Sequence, residues 1–228
     1  MIFSAKPSRR EILWGGIYLI LYLWILPLAV PLGAKALFPH WDASQVNFLY
    51  FCLNFTATVV IFQKYLLQSL KAARKNLGPT LRYALFAYLG SILLSSAVIA
   101  AIVRVYPEFM SVNDSAVGTM VQQNPGLMIL GAVVLVPVTE ELLFRGLIFR
   151  GLYDRSPLAA HLLSITLFSL IHVSGYVGMY DGKLLFFCFL QYLVPAYCLN
   201  FAYRYSGNLM APILMHMLTN LVALSAMR

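Results

Sequence analysis

Apolar stretches long enough to cross a bilayer recur throughout this 228-residue chain, and they leave few folds open. About 20 apolar residues cross the hydrocarbon core as a helix, and a backbone in lipid must satisfy its own hydrogen bonds. Composition points the same way: 61% of residues are hydrophobic and 11% charged, against roughly 25% charged in soluble domains. The sequence therefore predicts an all-α, polytopic transmembrane helix bundle of about seven spans. It leaves no room for a separate soluble domain.

The expected spans run over 12–37, 46–67, 83–105, 126–153, 158–173, 184–203 and 209–227. The first is too long for the apolar segment of a secretory signal, although Ala34-Lys35-Ala36 resembles a cleavage site, and it is read as an anchor. Between spans two and three lies a basic loop with Lys71, Arg74, Lys75 and Arg82, broken at Gly78-Pro79. A polar stretch, 107–125, follows span three. A kink is expected at Pro195 in span six, and Ser206-Gly207-Asn208 opens span seven with Pro212 in its first turn. Residues 1–125 thus hold three spans and 126–228 the remainder, in one integrated bundle.

Lys and Arg are retained on the cytoplasmic side of membrane proteins. A cytoplasmic N-terminus places Lys6, Arg9, Arg10, Lys64, Lys71, Arg74, Lys75, Arg82, Arg150, Arg155 and Arg204 inside. Lys35, Arg104, Lys183 and Arg228 then lie outside, as does the C-terminus. The net charge of +8 is accordingly a signal of topology and of contact with anionic lipid, and nucleic acid is not an expected partner. Cys52, Cys188 and Cys198 all fall within spans and read as small buried hydrophobes. Cys188 and Cys198 stand about 15 Å apart along one helix, too far to bond to each other.

Against this apolar background the run Pro137 to Gly146 stands out, because it carries Glu140, Glu141 and Arg145. Ionisable residues inside a membrane are costly and mark functional sites by default. On a helix Glu141 and Arg145 are four apart and share a face, whereas Glu140 is rotated by about 100°. Glu141 is thus expected to pair with Arg145 and to serve structure, leaving Glu140 free to take and return a proton. Phe168 and His172 on span five, and His216 and Asn220 on span seven, are also four apart, so each pair points one way. His161 and His40 read as interfacial side chains. A straight-helix count puts His172 about 21 Å from the cytoplasmic start of its span and His216 about 11 Å from its own, a mismatch in depth.

These residues resemble the CAAX prenyl protease and bacteriocin-processing (CPBP, or Abi) intramembrane proteases. The family pattern is Glu-Glu-x-x-x-Arg, Phe-x-x-x-His and His-x-x-x-Asn/Asp on three membrane helices. Here it reads Glu140-Glu141-Leu142-Leu143-Phe144-Arg145, Phe168-Ser169-Leu170-Ile171-His172 and His216-Met217-Leu218-Thr219-Asn220. Ser206 to Ile213 also looks like the family's approach to its last motif, so the resemblance covers about 126–224.

The resemblance implies an integral protein of a bacterial cell membrane that hydrolyses a peptide bond in a membrane-embedded or lipidated protein or peptide. It also implies roles: Glu140 with His172 activates water, His216 with Asn220 stabilises the oxyanion, and Glu141, Arg145 and Phe168 support them. An alternative makes His172, His216 and Glu140 ligands of a catalytic Zn2+. Asparagine is a poor zinc ligand and no His-Glu-x-x-His occurs, so a mechanism without cofactor is the favoured expectation. A different class of reading remains beside it: a non-enzymatic bacteriocin self-immunity or scaffold protein whose polar cluster binds a partner or locks the bundle.

Overall fold

The computed structural model describes residues 3–227. Arg228, counted above among the outer charges, lies outside them. Nine helices and no strand occur among the described residues: α1 (Arg9–Leu37), α2 (Ala43–Ile61), α3 (Gln63–Lys75), α4 (Leu77–Val105), α5 (Val112–Gln123), α6 (Pro125–Tyr153), α7 (Pro157–Ser174), α8 (Gly182–Ser206) and α9 (Met210–Ala226). Six are long and apolar enough to cross a membrane, and α9 is a seventh, shorter apolar helix.

Local chemistry sets the helix ends. Ser8 with Glu11 and Asp42 with Gln45 form capping boxes at the starts of α1 and α2, satisfying backbone N–H groups that no helical carbonyl reaches. Ser111, Ser156 and Asp181 cap α5, α7 and α8 in the same way. Gly207 ends α8 at φ 72°, a left-handed conformation that glycine adopts without cost.

The basic segment read as a loop is in fact helical. α3 is amphipathic, burying Tyr65, Ser69 and Ala73 and exposing Lys64, Lys71, Arg74 and Lys75. Its apolar stripe was diluted by the basic residues that mark the segment's side of the membrane. Span two accordingly stops at Ile61, with Phe62 turning the chain into α3. The break near Gly78-Pro79 falls at Asn76, between α3 and α4; Pro79 itself lies in the first turn of α4, where its missing N–H leaves no helical bond unmade. α5 occupies part of the polar stretch 107–125.

α6 is the central helix. Some 61% of its apolar stretch is buried within the protein, against 17–28% for the other five spanning helices. It continues through Pro137 because the preceding turns, Leu130–Leu135, widen to i→i+5 hydrogen bonds; a second wide segment covers Leu142–Phe149. α1 shows the same device, a wide turn at Leu21–Ile25 ahead of Pro27. Such π-turns absorb the ring of a proline and re-aim the side chains beside it.

The mismatch in histidine depth has a structural cause. α9 begins inside the bundle: Gly207, Asn208 and Leu209 are buried, Asn208 donates to Thr80 Oγ1 at 2.9 Å, and the Ser4 backbone N–H donates to Gly207 O at 2.8 Å. The N-terminal segment thus covers a recessed helix start. His216 consequently reaches the level of Phe168, their rings 5.8 Å apart.

Candidate active site

α6 delivers both glutamates and the arginine into the core. Glu140 is 5% exposed, and Glu141 and Arg145 are fully buried. Arg145 Nη1 donates to Glu141 Oε1 at 3.1 Å, Nε donates to Asn200 Oδ1 at 3.1 Å and Nη2 to Ala196 O at 2.9 Å. Its guanidinium also lies 4.5 Å from the centroid of the Phe168 ring. The arginine therefore ties α6 to α7 and α8 through every face of its planar head. Ser164 supports the same junction, donating within reach of both Phe144 O (3.1 Å) and Asn200 Oδ1 (3.0 Å).

Glu141 has a second partner besides Arg145. Its Oε1 also accepts from His216 Nδ1 at 2.9 Å, so the same oxygen that holds Arg145 orients the imidazole. A carboxylate can only accept, which fixes Nδ1 as the donor and turns Nε2 toward Glu140, 3.9 Å from its Oε2. Carboxylate, imidazole and reacting group stand in this order in hydrolase triads, where the buried acid sets the tautomer and stabilises the imidazolium.

Glu140 has one direct donor among the described residues, the Tyr22 hydroxyl of α1, at 3.3 Å from Oε1. Its Oε2 is buried with no partner. An orphaned carboxylate oxygen is expensive to bury, and its exceptions in folded proteins call for a functional explanation. Glu140 lines a cavity of about 700 Å³ together with Tyr22, His172, Tyr192, His216 and Asn220. The cavity reaches the surface at Trp24, Leu28 and Met179, all strongly exposed. Lys35 and Lys183 belong to this end of the bundle, and α3 with its basic residues belongs to the other.

His172 donates through Nδ1 to Phe168 O at 2.8 Å, one helical turn back, which leaves Nε2 as an acceptor. Its ring lies against Tyr192, centroids 4.1 Å apart and planes 23° apart. Asn220 Nδ2 donates to Ala132 O at 2.7 Å, tying α9 to the wide turn of α6 and leaving one amide N–H for another acceptor. The structure thus brings Glu140, His172, His216 and Asn220 to one cavity, with Glu141, Arg145 and Phe168 packed behind it. No group of three His, Cys, Asp or Glu side chains among the described residues is arranged to hold a metal ion. His161 and His40 lie away from the cavity, and the three cysteines are free.

Sequence reasoning missed Tyr22, Asn200, Tyr192 and Asp114, which lines the same cavity and accepts from the Tyr192 hydroxyl at 2.6 Å. A lone asparagine in span six could have flagged Asn200, since an unpaired amide in lipid demands a partner. Tyr22 is one of 14 tyrosines, and nothing local distinguishes it.

Residues 122–222 match the family described as type II CAAX prenyl endopeptidase Rce1-like. The match encloses all three motifs and excludes Tyr22 and Asp114. No curated protein and no solved structure matches the chain.

Proposed function

We propose, from the match of residues 122–222 to the Rce1-like CAAX endopeptidase family, that the protein is an intramembrane endopeptidase acting on a membrane-associated or lipidated protein or peptide. The observation that carries the proposal is the unpartnered Glu140 Oε2, buried in a cavity that also receives two histidines. In the reaction, water gives a proton to the Glu140 carboxylate, assisted by the bare Nε2 of His172. The resulting hydroxide adds to the scissile carbonyl carbon, and the carbonyl π pair moves onto oxygen. His216, as an imidazolium stabilised by Glu141, donates from Nε2 to that oxyanion, and Asn220 donates its remaining amide N–H. Collapse breaks the C–N bond, and Glu140 returns the proton to the departing amine. Tyr22 steadies the carboxylate throughout.

The test is a panel of lipidated and leader peptides offered to the purified protein beside a Glu140→Ala control. Cleavage by the wild type that vanishes in the control supports the reading. A folded wild-type protein that cuts none of them, and binds one without turnover, contradicts it in favour of a scaffold.

A further inference from the structure

One face of His172 is occupied by a hydrogen-bonded assembly within the cavity wall that none of the three motifs contains. Tyr192, from α8, stacks on the imidazole at 4.1 Å between centroids. Its hydroxyl donates to Asp114 Oδ1 at 2.6 Å and accepts from Asn113 Nδ2 at 3.0 Å, both on α5. Gln191 Nε2 donates to the other Asp114 oxygen at 3.0 Å. The Tyr192 ring is thereby pinned at both ends, by its helix and by its hydroxyl.

We propose that Tyr192 is a positioning residue for His172, with Asp114 as its anchor. The proposal rests on the reading of His172 as the group that assists Glu140. With Nδ1–H committed to Phe168 O, any proton that His172 accepts goes to Nε2 and makes the ring a cation. An electron-rich aromatic face parallel to that cation attracts it, and more strongly in a desolvated site. The phenol's bond to a carboxylate holds the face in register and adds negative charge beyond it. The neutral imidazole gains little from either, so the assembly steadies the positive charge the ring gathers as Nε2 accepts a hydrogen bond from the water that gives its proton to Glu140, and it fixes the ring plane beforehand. α5, which lies outside the matched family segment apart from its last residues, is then part of the reaction machinery.

The experiment measures kcat and KM of the full chain, with whichever peptide the wild type cuts, for Tyr192→Phe, Tyr192→Leu and Asp114→Asn, beside Glu140→Gln. Tyr192→Phe keeps the stack and loses the anchor, and is expected to lower kcat about 2- to 5-fold. Tyr192→Leu loses the aromatic face as well and is expected to fall about 10- to 30-fold. Asp114→Asn should resemble Tyr192→Phe, and KM should stay within about 2-fold of wild type throughout. A purely architectural tyrosine would lower abundance without this ordering of kcat. Wild-type kcat in Tyr192→Leu, or a rise in KM in place of the fall in kcat, overturns the proposal. Should Tyr192→Leu fail to accumulate, Tyr192→Phe and Asp114→Asn decide, and wild-type kcat in both overturns it. A dead Glu140→Gln beside unaffected Tyr192 variants removes the positioning role alone, whereas an active Glu140→Gln removes the glutamate mechanism and this inference with it.

Discussion

Replacing Arg145 with alanine is expected to damage the fold more than any other single change at the site. The side chain is completely buried and makes an ion pair with Glu141, hydrogen bonds to Asn200 and Ala196, and a cation–π contact with Phe168. Truncation leaves Glu141 fully buried with His216 as its only bonded partner, its Oε2 already having none. Breaking one side of a buried pair costs about 3 to 5 kcal/mol, and Asn200 Oδ1 keeps only Ser164 as a donor. At about 2 to 4 °C per kcal/mol for a chain of this size, the midpoint of thermal unfolding should drop by roughly 6 to 20 °C. The assay is protein abundance in the membrane fraction and thermal unfolding in detergent. Charge, not volume, is the cause invoked, so Arg145→Met combined with Glu141→Gln should recover much of the loss, since neutral replacements of a buried pair are often tolerated. An abundant, heat-stable Arg145→Ala protein, or a double variant no better than Arg145→Ala, would refute the reasoning.

Tyr22→Phe removes the one hydroxyl donating to Glu140 and is expected to lower kcat/KM on the order of 10-fold, the worth of a hydrogen bond to a charged group, with abundance unchanged; wild-type kinetics would show that the bond is incidental. For topology, a cysteine at Lys75 is expected to be shielded from an impermeant thiol reagent in intact cells and one at Lys183 to react, and the reverse pattern would invert the proposed orientation. Chelators are expected to leave activity intact. Stoichiometric zinc that disappears together with activity in His172→Ala would replace the glutamate mechanism with a metal one.

The bundle was legible in the sequence because hydropathy reports lipid directly: each expected span matches a helix, with most ends within a few residues. The Glu141–Arg145 pair was legible too, because i,i+4 geometry is local. Helix α3 was hidden because its basic residues read as loop, and α5 because its short, mixed polar and apolar pattern shows no clear helical stripe. The double use of Glu141 was hidden for a different reason. Its contact with His216 spans 75 residues of sequence and depends on the recessed start of α9, which tertiary contacts with Ser4 and Thr80 create. Tyr22, Tyr192 and Asp114 share that difficulty: each comes from an element whose own pattern says only that it is apolar or polar, and only packing brings it to the cavity.

The central claim is that Glu140 acts as the base, and Glu140→Gln tests it most directly. The substitution keeps size and most hydrogen bonding, and it leaves the Glu141–Arg145–His216 framework untouched. Activity on a cleaved peptide is predicted to fall on the order of 10² to 10⁴-fold, the usual worth of general acid–base catalysis, with unchanged abundance and thermal stability. A Glu140→Gln protein that is folded and cuts within a few-fold of the wild-type rate would contradict the account.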